Sequence, residues 1–233
     1  MQIIRQIGQL LQQEIRSEWR DRTTVVGVLL YVAASVVLVY SALNQFSPLV
    51  WNALFWVLLF FAAVSSVGRA FRRESGRRHL YWYSLVAPEA LLFSKLIYNC
   101  LFLFVLGSFI WLLLALFSGA NPIAHADVFV MALALGSLGL ATTFSFLAAI
   151  GMRAGGGATL LTVLAFPLLI PLLFLLVRAG LHSLDPSLAG SDGPFLSRLQ
   201  IEGGLPQVFT FLAGLDLILL SVALLLFPFV WRD

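Results

Sequence analysis

Charge is scarce in this chain: 11% of its 233 residues are Asp, Glu, Lys or Arg, against 61% that are hydrophobic. Soluble domains carry roughly 25% charged residues, so the shortage excludes an ordinary water-soluble fold and leaves an integral membrane protein. A single cysteine, Cys100, excludes an intrachain disulfide and leaves the redox compartment open. The three histidines do not cluster: His79 is predicted inside, and His125 and His182 fall on two different outer loops. Two outer histidines could in principle supply axial ligands to a haem, but their spacing gives no support, and solvated or lipid-facing rings are the plainer reading. No Ser-His-Asp order, paired catalytic carboxylates or metal-ligand spacing is present, so the sequence argues against a catalytic centre. The stretch Gly151 to Gly157 lacks Walker spacing and a following Lys-Ser or Lys-Thr, which excludes a phosphate-binding loop.

What is present is positive charge on one side. Twelve of the fourteen Lys and Arg residues fall in segments that a single membrane orientation places together: Arg5, Arg16, Arg20 and Arg22; Arg69, Arg72, Arg73, Arg77, Arg78 and Lys95; Arg153; and Arg232. Arg178 and Arg198 fall opposite. Positive residues near span ends stay cytoplasmic, so both termini are expected inside. Membrane orientation thus accounts for the net charge of +3. No basic face with interleaved aromatics remains to suggest nucleic acid.

Apolar runs of ~20 residues point to helices rather than barrel strands. Residues 1–23 carry Ile4, Ile7, Leu11, Ile15 and Trp19 in one helical stripe, with Gln12, Gln13, Arg16 and Arg20 elsewhere around the helix. Such a helix suits the plane of the inner interface; an ordinary soluble docking helix is the alternative. Residues 24–233 form the membrane domain, with the first apolar run read as a retained span rather than a cleaved signal. Six spans are expected, from about Thr24 to Leu43, Pro48 to Gly68, Leu96 to Phe117, Ala126 to Gly151, Ala158 to Leu176 and Pro206 to Val230. A cytoplasmic loop occupies 69–95 and an irregular outer segment 181–205, with a short helix around Phe195 to Gln200. Trp51, Trp56 and Trp231 read as interfacial anchors, and Asp127 as a helix cap.

Several features inside this frame invite function. Gly136, Gly139 and Thr143 give the fourth span a small-residue face that favours close helix packing or, alternatively, a substrate path. Pro167 and Pro171 each remove a backbone donor, which leaves the carbonyls of Val163 and Pro167 without their usual partners. Either a static kink or a flexing element results. Asp216 lies about ten residues into the last span, ~15 Å deep. No Lys or Arg is predicted at that depth, so a neutral acid hydrogen-bonded to another span is expected, with a place in the substrate path as the alternative. Arg178 snorkels to the headgroups. In the inner loop Arg72, Arg73, Glu74, Arg77 and Arg78 precede Tyr81-Trp82-Tyr83 and Pro88-Glu89. Mixed charge with aromatics fits a docking surface; topology with headgroup anchoring is the plainer reading.

The chain resembles type-2 ABC exporter permeases, and within them the haem exporter protein B (CcmB) family of bacterial cytochrome c maturation. The resemblance rests on Glu14-Ile15-Arg16 with Arg20, on Arg69-Ala70-Phe71-Arg72-Arg73-Glu74, and on Leu85, Pro88 and Lys95-Leu96. Above all it rests on Gly136 to Phe174, including Phe-Pro-Leu-Leu-Ile-Pro-Leu-Leu-Phe. The long outer segment and the Arg- and aromatic-rich inner loop depart from the family pattern. The resemblance implies a type-2 exporter-like permease subunit in the bacterial inner membrane, without an ATPase of its own. Its expected partners are an ABC ATPase subunit, a haem-handling membrane subunit, a second copy of itself and membrane lipids. Haem would be the ligand handled, with no cofactor bound directly and ATP held by the partner.

Two rival readings remain: a type-2 permease for a lipid, glycan or drug, and a membrane scaffold that moves nothing. A transporter should show a hydratable path near Asp216, Thr142, Thr143 and the Pro167/Pro171 break. A scaffold should pack those groups against one another.

Overall fold

The computed structural model describes residues 2–20, 22–43, 47–72, 88–118, 121–153, 158–185, 198 and 204–232. These hold helices α1 (Gln2–Arg20), α2 (Arg22–Leu43), α3 (Pro48–Arg72), α4 (Pro88–Ser118), α5 (Ala126–Arg153), α6 (Ala158–Leu181) and α7 (Leu205–Arg232). Among the described residues the only β pairing is an isolated antiparallel bridge between Ile123 and Leu184. The all-helical membrane architecture expected from composition is therefore present. Five helices, α2 to α5 and α7, are long and apolar enough to cross a bilayer. The apolar stretch described in α6, Pro167–Leu181, is shorter.

The sequence explains the helix starts. Ser47 accepts the Val50 N–H on its hydroxyl at 3.4 Å and the Trp51 N–H on its carbonyl at 2.9 Å. Pro48 then occupies the first helical position, where a missing N–H costs nothing. Pro88 opens α4 in the same way. As a result the inner loop is shorter than expected: the chain is helical again from Pro88, and Lys95 belongs to α4 and not to the loop. At α5 the helix begins at Ala126, with the Phe129 N–H on the His125 carbonyl at 3.1 Å. Asp127 thus lies inside the first turn, where its charge suits the helix dipole, and His125 takes the capping position.

The centre of the bundle is α5, which packs against α3, α4, α6 and α7. Within its apolar span 61% of residues are buried, against 17% for α2 at the periphery. Its small residues make this possible. A Cβ on Gly136 would stand 2.8 Å from both Leu176 and the Trp56 ring, so only glycine lets α3 and α6 approach this closely.

Burial also overturns a sequence expectation. Trp51 and Trp56 are each 1% exposed and belong to the core, not to the lipid interface. Trp51 stacks on Phe55 with ring centroids 5.8 Å apart, and Phe129 packs on Phe55 at 4.9 Å and on Trp111 at 5.5 Å. Four aromatic side chains from α3, α4 and α5 thus close the bundle interior near one end.

The amphipathic helix α1 packs along α4. Its inward face is rotated from the expected stripe: Leu10 is buried, Ile7, Leu11 and Glu14 are partly buried, and Ile15 is exposed. The rotation brings a carboxylate against α4.

Candidate functional site

The seam between α5 and α7 holds the most unusual group in the described molecule. Asp216 is the middle residue of the apolar stretch Leu205–Phe227, about 16 Å along the axis from either end. It is 3% exposed, and neither carboxylate oxygen has a hydrogen-bond partner among the described residues. The expected hydrogen bond to another span is absent from this arrangement. Instead Asp216 Oδ1 lies where a Cβ on Gly139 would stand, and Leu172 of α6 closes the niche, its Cδ1 2.8 Å from that same Cβ position. Buried polar groups are nearly always satisfied, which makes an orphan carboxylate a marked exception.

Thr142 and Thr143 stand on α5 one turn further along, 1% and 2% exposed. Their hydroxyls donate to their own helix, to Leu138 O and Gly139 O, both at 2.8 Å. The backbone already satisfies these donors, so neither threonine is committed to Asp216. Pro167 and Pro171 sit within a continuous α6 but on its exposed side, away from Asp216. The structure therefore gathers Asp216 and the Thr143 turn at one seam and leaves the proline pair outside it. Of the docking candidates, Arg72 ends α3; its side chain, and Arg73, Glu74, Arg77, Arg78, Tyr81 and Trp82, lie outside the described residues. So do the Gly-rich inner turn 154–157 and most of the outer segment.

Four polar contacts escaped the sequence reading. Asn52 of α3 donates to Val177 O in the last turn of α6 at 2.8 Å and accepts the Trp56 indole N–H at 3.1 Å. Asn99 of α4 donates to Ser145 Oγ of α5 at 2.8 Å. Lys95 of α4 pairs with Glu14 of α1 at 3.2 Å, with side chains 4% and 24% exposed. Their one sequence signal was a lone polar residue within an apolar run, which names the residue but not its partner.

The two segments read as separate outer loops are joined. Ala124 N–H and His125 N–H donate to Ser183 O, at 2.8 and 3.1 Å, and Asp185 N–H donates to Pro122 O at 2.9 Å. His182 Nδ1 donates to Arg178 O at 2.9 Å. Arg178 lies over the exposed Phe174 ring at 5.7 Å, in keeping with an anchoring role. No group of three or more metal-ligating side chains occurs among the described residues.

No curated protein and no solved structure matches the chain. A family model does, one described as CcmB protein, over residues 5–193. That match takes in α1, the core helices α3 to α6, the glycine-bearing face of α5 and the proline pair of α6. The chain belongs to the CcmB family, transmembrane proteins of haem transport in cytochrome c biogenesis.

Proposed function

We propose that this chain is the permease subunit of an ABC complex that moves or delivers haem for cytochrome c maturation, driven by a separate ATPase subunit. The observation that carries the reading is membership of the CcmB family over residues 5–193, which include the α5 side of the seam but not Asp216. In this reading α6 is the sixth span, completing a type-2 exporter-like bundle whose termini both face the cytoplasm of a bacterial inner membrane. The chain is not itself an enzyme. The ATPase docks on the inner loop through Arg72, Arg73, Glu74, Arg77, Arg78, Tyr81 and Trp82. Asp216, Thr142, Thr143, Pro167 and Pro171 belong to the pathway or to its coupling. A haem-handling membrane subunit, a second copy of the chain and lipids complete the surroundings.

The ATPase arm has a direct test. Reversing charge together at Arg72, Arg73 and Glu74 should abolish co-purification with the ATPase subunit while the permease still inserts. Unchanged co-purification would leave the loop with membrane orientation alone to explain it. Orientation is tested separately. In a Cys100→Ser background, single cysteines at Gly76 and Gly155 should react only from the cytoplasmic side. Cysteines at Asn121 and Ser191 should react only from outside. Labelling of position 76 from outside would sink both the orientation and the docking assignment.

One observation favours the scaffold reading. Thr142 and Thr143 are closed onto their own helix, and the aromatic cluster of Trp51, Phe55, Trp111 and Phe129 fills one end of the bundle. Under that reading haem does not cross within a single protomer, and the subunit holds the complex together. Deletion of the chain removes covalent haem from c-type cytochromes under either reading. Water-accessible labelling of single cysteines at positions 142 and 143 during ATP turnover separates them, since only a transporter opens that seam.

A further inference from the structure

Lys95 was expected to help hold the inner loop on its side of the membrane. An ammonium with only that task would lie exposed among headgroups or water. Lys95 instead lies seven residues into α4, about 10 Å along the axis from its first residue, and is 3% exposed. Glu14 of α1 pairs with it. A buried ammonium left without its carboxylate is strongly disfavoured, whereas the intact pair is tolerated and fixes one geometry. Leu10, with Ile7 and Leu11, packs on the same side of α1, so apolar contact and ion pair act at one junction.

The position of this junction matters. The foot of α4 directly follows residues 73–87, where the ATPase is proposed to dock. On the bundle side, Leu92 packs in a satellite cluster with Phe146 of α5 and with Ala223 and Phe227 of α7. Further along the same two helices, Gly139 and Asp216 meet. A displacement of the α4 foot therefore has α1 on one flank and the α5–α7 seam on the other.

We propose that Glu14 and Lys95 are positioning residues: their ion pair locks α1 to the foot of α4, so that the two helices move as one body and motion of the inner loop reaches the α5–α7 seam. The proposal rests on the ABC-permease reading. The pair acts in coupling and not in recruiting the ATPase.

The test uses the full complex in the native membrane and in detergent. Glu14→Gln and Lys95→Gln should each leave the ATPase co-purifying but lower covalent haem on c-type cytochromes about tenfold, the size expected for ~1.4 kcal/mol of lost coupling. The exchange Glu14→Lys with Lys95→Glu should restore most of it. A distance readout keeps the test independent of yield. With Cys100→Ser, spin labels at the exposed positions Gln13 and Ile97 should report one distance that ATP binding leaves unchanged. Glu14→Gln should broaden it. A native-pair distance that changes with ATP would overturn the proposal, as would full maturation in both single variants. Loss of ATPase co-purification in the unmodified chain would instead count against the ABC-permease reading.

Discussion

Gly180→Ala should destabilise the bundle by about 3 kcal/mol, equivalent to a loss of roughly 6–12 °C in Tm for a chain of this length. The added methyl would collide with Asn52 Oδ1 and stand 2.7 Å from Trp56 Nε1 and 3.0 Å from Asn52 Cγ. Asn52 is not free to retreat, because its amide donates to Val177 O and its oxygen accepts the Trp56 indole. Displacing it breaks the part-buried bond to Val177 O and leaves a buried indole N–H unsatisfied, the latter alone costing about 1–3 kcal/mol. The ~1 kcal/mol that alanine gains over glycine in a helix offsets only part of this. Asn52→Ala should cost a similar amount, and the double variant little more than Asn52→Ala alone, since both changes break one junction. Thermal unfolding in detergent of the single and double variants checks this. Additive losses would show that Gly180 and Asn52 act separately.

Much of the architecture was legible because lipid imposes few solutions. Long apolar runs had to be helices, and Gly136 and Gly139 pointed to close packing or a substrate path; a Cβ at either would meet Trp56, Leu176 or Leu172. What failed has physical causes. A membrane span has no polar face to orient it, so hydropathy locates Trp51 and Trp56 along a helix but not around it. Trp51 and Trp56 were assigned to the interface by depth, yet Phe55, Phe129 and Asn52 draw them inward. Lys95 was assigned to a loop by charge, yet Glu14, 81 positions earlier, draws it into the bundle. The segments that carry His125 and His182 looked unrelated because their junction depends on three backbone bonds that no side-chain pattern encodes. The candidate site was half legible: the depth of Asp216 was readable, and its contact with a glycine was not.

That contact sets the second large expectation. Replacing Asp216 with Asn should leave the protein as abundant and at least as heat-stable, while covalent haem on c-type cytochromes falls about tenfold or more. Asn keeps the shape, so Gly139 and Leu172 still close around it, and it removes an ionisable group whose oxygens no described residue satisfies. An isolated carboxylate in the bilayer interior costs several kcal/mol if ionised. A position retained only for packing would gain from its loss. Stability and activity should therefore move in opposite directions, the pattern of a residue kept for what it does. Asp216→Ala supplies the contrast: it deletes both orphan oxygens, and its modest cavity should cost no more than about 1–2 kcal/mol. Maturation as low as in Asp216→Asn would assign the function to the carboxylate itself. If instead Asp216→Asn lowers Tm, the carboxylate makes a stabilising contact. If both variants mature cytochromes normally, Asp216 has no part in transport, and the α5–α7 seam is packing alone.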